Sequence, residues 1–169
     1  MVEPGQKKSL ALDTNFLFDL AKGESFAEDF KEFFQRLGFR FFIPPTVVME
    51  LSIASEDEDE EKRKLAKIAL SRLIDWQIQP FGMKSVGDDI AEKFSALLRG
   101  KGLLPFEEVN DGIILAEAAL SEISILVTRD QHLLDIDETS LAVAFNEADL
   151  PSVKPAHLKR LLRAAQQIL

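Results

Sequence analysis

Four acidic side chains, far apart in the chain, stand at the edges of apolar segments. Asp13 directly follows Leu10-Ala11-Leu12, and Asp130 follows Ile125-Leu126-Val127 through Thr128-Arg129. Glu50 is set among Val47, Val48, Met49 and Leu51, where a charge is costly if buried without a partner. Asp111 lies beside the apolar series Val109, Ile113, Ala116 and Leu120 and shares a helical stripe with Leu115 and Ala118. Carboxylates brought together repel and raise one another's pKa. A divalent cation relieves that repulsion, and oxygen-only ligands suit Mg²⁺ or Mn²⁺. Such a cation polarises a phosphodiester and makes water a better nucleophile near neutral pH. The chemistry open to these acids is therefore metal-assisted phosphodiester hydrolysis.

Each acid also has an ordinary explanation. Asp13 could cap a helix at a strand end, with Thr14 and Asn15 supporting the turn. Asp130 could cap the turn before Leu133, Glu50 could pair with a Lys or Arg, and Asp111 could favour its own helix dipole. What joins them is the expected placement of the elements. Ser9 to Asp13, Arg40 to Ile43, Trp76 to Pro80, Ser124 to Thr128 and Leu141 to Phe145 read as strands. Helices are expected over Phe26 to Leu37, from Thr46 as cap through Leu51, Lys62 to Asp75, Val86 to Arg99, Pro105 to Leu120 and Pro155 to Leu169. The acidic run Glu56 to Glu61 reads as a solvated lead into a helix. Strands that are apolar without alternation, separated by helices, predict a mainly parallel sheet covered on both faces. Sites in such sheets lie beyond the carboxyl ends of the strands, where Asp13 and Asp130 would project from one edge.

Composition narrows the classes. The chain has 169 residues, 46% hydrophobic and 29% charged, enough for one domain with a real core. A formal charge of −9 opposes a chain-wide basic surface for nucleic acid, though not a local patch. With no cysteine, disulfides, thiolate metal sites and cysteine nucleophiles are excluded. No apolar run is long enough for a transmembrane helix, and MVEPGQKKS lacks the apolar stretch of a signal peptide. A cytoplasmic protein is the expectation. A Gly-rich phosphate loop and a Ser-His-Asp arrangement are absent, and Asn15 stands where an Asp-x-Asp phosphatase would need its second acid.

Four segments together carry a resemblance. Leu10-Ala11-Leu12-Asp13-Thr14-Asn15-Phe16-Leu17 resembles the opening motif of PIN-domain ribonucleases. Val47 to Leu51 resembles their second motif, Asn110 to Ala118 the third, and Leu126 to Leu133, with its Thr-x-Asp, the fourth. They occur in the family's order. The resemblance implies a single domain over 1–169 with a three-layer α/β/α fold and a C-terminal helix at 154–169. It also implies metal-dependent cleavage of single-stranded RNA by Mg²⁺ or Mn²⁺, without a covalent enzyme intermediate. Asp13, Glu50, Asp111 and Asp130 would be the metal-binding and catalytic acids, with Asn15 and Thr128 as polar supports. The family includes VapC-type toxins of toxin–antitoxin pairs, so an antitoxin partner and a homodimer are expected, the latter through apolar residues of the Phe26 to Leu37 helix. The chain is longer than the compact toxins, with the extra length placed in the acidic helix region and the C-terminal helix. The alternative is a PIN-like protein with little catalysis that binds RNA or protein.

Other residues carry weaker signals. Glu107, one turn before Asp111, reads as a helix-start acid. His132 and Arg129 flank Asp130 and could meet phosphate, and Asp135 and Asp137 follow. Lys154, His157, Lys159, Arg160 and Arg163 form the one basic stretch, the best candidate for RNA backbone contact.

Overall fold

A computed structural model describes residues 8–168. The readings of the amino-terminal segment before Lys8 and of the final residue of the closing helix fall outside the described residues. Strands β1 (Ser9–Leu12), β2 (Arg40–Ile43), β3 (Ile78–Pro80), β4 (Ile125–Val127) and β5 (Lys154–Ala156) form one sheet. Their order is β3-β2-β1-β4-β5, and every neighbouring pair is parallel. Successive strand residues point to opposite faces, yet all of β1, Phe41 to Ile43 of β2 and both Leu126 and Val127 are buried. Both faces are therefore covered, which is the α/β arrangement the apolar strands predict. The chain adds strands outward on one side of β1 and then returns to add β4 and β5 on the other. The switch point lies between the carboxyl ends of β1 and β4, where ligands bind in such sheets.

The helices are α1 (Thr14–Lys22), α2 (Ser25–Arg36), α3 (Pro45–Ala54), α4 (Glu60–Arg72), α5 (Ser85–Gly100), α6 (Val109–Leu120), α7 (Gln131–Leu134), α8 (Glu138–Glu147) and α9 (Leu158–Ile168). Several depart from expectation for identifiable reasons. The spacing predicts no helix over Thr14–Lys22, but Asp13 caps α1 there and Gly23, at φ 75°, closes it. The run Leu141 to Phe145 is not a strand. Leu141, Ala144 and Phe145 are the buried face of α8, whose start Asp137 caps by accepting from the Ser140 N–H. The fifth strand is instead Lys154–Ala156, a segment whose proline removes a donor and so hides a strand; at the sheet edge that loss is tolerated. The closing helix accordingly begins at Leu158 rather than Pro155.

Two further corrections bear on the site. Pro44, not Thr46, caps α3, and Pro45 occupies its first turn. Helix α6 starts at Val109, because Pro105 to Glu108 form a turn. Its core face is not the Val109 series either. Val109 is exposed, while Asp111, Ile114, Leu115 and Ala118 are buried. Asp111 thus lies on the buried stripe itself. Helix α6 packs tightly on α5 at Gly112, where a Cβ would come within 2.7 Å of Ser95 Cα. The apolar face of α2 is turned inward as well: Phe30 and Phe34 are buried, and Lys159 of α9 sits 4.8 Å from the Phe26 ring centre.

Candidate active site

The site is built from strand ends inward. Asp13, only 4% exposed, leaves β1 with its backbone N–H bonded to Val127 O at 3.0 Å, which locks it beside β4. Its Oδ1 accepts from the Thr14 N–H at 2.8 Å. Its Oδ2 accepts from the Thr128 hydroxyl at 2.7 Å and from Asn15 Nδ2 at 3.3 Å. Asp130 follows β4; its N–H donates to Thr128 Oγ1 at 3.0 Å and its Oδ1 caps α7 through the His132 N–H at 2.9 Å. Capping and gathering therefore coexist, since one oxygen of each of these acids ends a helix.

Glu50 reaches the same rim from α3. It pairs with no Lys or Arg among the described residues; Oε1 accepts from the Thr14 hydroxyl and Oε2 from Asn110 Nδ2 at 3.3 Å. Asp111, next to Asn110 in the first turn of α6, is 7% exposed, and its Oδ2 is buried without any hydrogen-bond partner.

The electrostatics record how close the acids stand. Burial pushes the Asp13 pKa up to about 6, against the bonds from Thr128 and Thr14, and the charges of Glu50 and Asp130 add to the rise. Asp111 is pushed up to about 8, by burial first and then by Asp130, Asp13 and Glu108. As a carboxylate, Asp111 meets no donor; as a neutral acid it can share its proton with Asp130. The structure thus brings Asp13, Glu50, Asp111 and Asp130 into one electrostatic group, with Asn15 and Thr128 between the strand ends.

The donor set fits a hard cation held loosely. Among the described residues, no three acid or imidazole groups already enclose a metal position. Mg²⁺ and Mn²⁺ do not need such a cage, because they keep several waters and take one or two carboxylates directly. The orphaned Asp111 Oδ2 and the mutual repulsion are what a cation at this rim would relieve.

The neighbouring residues sort differently. Glu107 is exposed, whereas Glu108 acts on Asp111 and lies 3.5 Å from His132 Nε2. Asp135 is engaged by Gln131 and Asp137 by the start of α8, and neither is among the charges that act on Asp13 or Asp111. Arg129 is paired with Asp19 at 2.8 Å. Lys154 pairs with Glu138 at 3.5 Å and Lys159 covers Phe26.

Two acids with supporting roles, Asp19 and Glu117, are not singled out by the motifs. Asp19 is 3% exposed on α1, and Glu117 is 3% exposed on α6. Glu117 accepts from the Thr46 N–H at 3.1 Å and its hydroxyl at 2.9 Å, anchoring the start of α3 one turn before Glu50. Burial pushes its pKa up to about 7 despite those bonds, with Asp88 and Glu50 contributing. The signal for both was present: an acid inside an apolar run, Phe16 to Ala21 and Ile113 to Leu120, as for Glu50.

A model of the PIN domain matches residues 10–139 of the chain. VapBC2 from Rickettsia felis, solved bound to a DNA fragment from its promoter, superposes with TM-score 0.59 at 16% identity, over 88% of this chain and 98% of that one. VapBC-1 from nontypeable Haemophilus influenzae superposes with TM-score 0.53 at 15% identity, over 89% and 98% of the two chains. At these identities the likeness is one of fold. No curated protein matches the chain in sequence at a significant level.

Proposed function

The chain belongs to the PIN-domain family, and from that premise we propose that it is an endoribonuclease that hydrolyses single-stranded RNA with Mg²⁺ or Mn²⁺. The observation that carries this reading is the convergence of Asp13, Glu50, Asp111 and Asp130 on the switch point of a parallel sheet, with Asp111 Oδ2 buried and unpartnered. These four would hold the cation. When bound, the cation would polarise the phosphodiester and offset the charge that develops on the leaving oxygen.

The chain's own residues do the rest. Thr128 and Asn15 both donate to Oδ2 and so fix the Asp13 carboxylate, while Oδ1, which accepts only from the Thr14 N–H, keeps a lone-pair direction free. Asn110 and Thr14 hold both oxygens of Glu50. Asp111 keeps a proton near neutral pH in the metal-free state and gives it up as positive charge arrives. The reaction adds water across the phosphodiester, breaking one P–O bond and forming another, with no covalent bond to the protein.

The two solved structures described above are of VapBC proteins. In line with that, the protein is proposed to be the toxin member of a toxin–antitoxin pair, restrained by a small partner protein. A homodimer is part of the same reading. Among the described residues no helix is long and apolar enough to cross a membrane. The test is cleavage of a labelled single-stranded RNA by wild type and by Asp111→Asn. Wild type should cut only with Mg²⁺ or Mn²⁺, and the variant should lose at least about 100-fold, the scale of several kcal/mol at a metal site. Equal cleavage by both proteins would refute the assignment.

A further inference from the structure

The acidic rim has a basic shoulder. In the β4–β5 ladder Val127 is level with Ala156, and the Thr128 N–H bonds to Ala156 O at 3.0 Å. His157 is therefore the residue level with Thr128 at the carboxyl edge, one position short of Arg129, whose charge acts on the His157 ring.

Arg129 is not a loose surface cation. Its Nε donates to Asp19 Oδ2 at 2.8 Å and its Nη2 to Asp19 Oδ1 at 3.1 Å. Its backbone N–H reaches Asn15 Oδ1 at 3.3 Å. Asp19 is buried, while 44% of the Arg129 side chain is exposed. A buried acid thus holds one edge of a planar guanidinium and leaves Nη1 outside the pair. That is the pre-oriented fork suited to a phosphate.

His157 is oriented too. Its Nδ1 accepts from the Lys159 N–H at 3.1 Å, so in the neutral ring Nε2 carries the proton and is a donor. Besides its burial, the charges of Lys159, Arg160 and Arg129 all lie close enough to disfavour protonation of this ring. Lys159 is occupied over Phe26, but Arg160 is exposed. In a chain of net charge −9, this concentration of donors beside the acids stands out.

We propose that Arg129, His157 and Arg160 form a subsite for a non-scissile phosphate of the RNA backbone, with Asp19 as the residue that positions Arg129. The proposal rests on the ribonuclease reading. It gives the substrate a direction: the strand would cross the sheet edge from the β5 side toward the acids at β1 and β4.

The experiment measures binding of a fluorescent single-stranded dodecaribonucleotide in EDTA across a salt series, then its cleavage with Mn²⁺. Wild type is compared with Arg160→Gln, which changes an exposed residue, and with Arg129→Lys, which keeps the charge but loses the fork. Melting curves confirm that both fold. Each variant should bind and show KM about 5- to 10-fold weaker, with the loss falling on KM. For Arg160→Gln the slope of log Kd against log salt should also drop by about 0.7, one phosphate contact on a single strand. Wild type that binds and cleaves, with slope and KM unchanged in both variants, would overturn the subsite and leave the ribonuclease reading standing. Wild type that neither binds nor cleaves the RNA would overturn both.

Discussion

The hydroxyl of Thr128 donates to Asp13 Oδ2 at 2.7 Å, across 115 positions of the chain. Thr128 Oγ1 in turn accepts from the Asp130 N–H at 3.0 Å. One hydroxyl therefore ties together the acids at the ends of β1 and β4. It also lowers the Asp13 pKa against the larger effect of burial. Thr128→Val keeps the shape and removes the bond. Cleavage should fall about 10- to 100-fold, the usual cost of losing a partner that orients a metal ligand. The acid limb of the pH–rate profile should move to higher pH, because Asp13 becomes harder to ionise. A variant with wild-type rate and an unmoved limb would contradict this role.

Asp111 makes the metal-free protein weaker as pH rises. In the unfolded chain it titrates at an ordinary value near 3.8, whereas in the fold it titrates at about 8. Between these values the unfolded state has released a proton that the folded state still holds, so stability declines through that window and stays low above it. In EDTA at about pH 9, Asp111→Asn should be more stable than wild type by about 1–3 kcal/mol. The advantage should vanish near pH 4. Urea melts at the two pH values decide the matter, and a variant less stable at both would count against a buried, repelled carboxylate.

Gly112 serves Asp111 by letting α6 approach α5. A methyl group at that position would meet Ser95 Oγ at 2.6 Å and backbone Cα at 2.7 Å, so a helix must shift rather than a flexible side chain. Gly112→Ala should destabilise the protein by about 1–3 kcal/mol. Activity should drop further than stability alone explains, since Asp111 precedes the glycine. Thermal melting alongside cleavage below the melting range separates the two effects.

Much of this arrangement was legible in the residues. Asp13 and Asp130 follow apolar strands of a parallel sheet, and strand ends in such sheets share an edge. Glu50 was marked by the apolar residues around it. Other parts were hidden by competing signals. Leu141 to Phe145 is apolar enough for a strand, but the pattern 141/144/145 and the Asp137 cap decide for a helix. Pro155 disguises β5, and the Asp111 stripe proved more buried than the Val109 stripe because α6 contacts α5 through Gly112. Which acid meets which donor depends on tertiary placement. Thr14 to Glu50 and Thr46 to Glu117 join residues that no local spacing connects.

Metal binding should release protons. With Asp13 at about 6 and Asp111 at about 8, part of the rim is neutral at pH 7 and must ionise to take a cation. The apparent affinity for Mn²⁺ should therefore rise from pH 6 toward pH 8. Titrations in two buffers of different ionisation enthalpy should show that release at pH 7, and an affinity independent of pH across this range would argue against the protonated rim.

If the four acids act as one cation site, calorimetric titration of Mn²⁺ at about pH 8 should show saturable binding to wild type that is lost in folded Asp13→Asn. Absence of binding to wild type, or equal binding to both proteins, would contradict it.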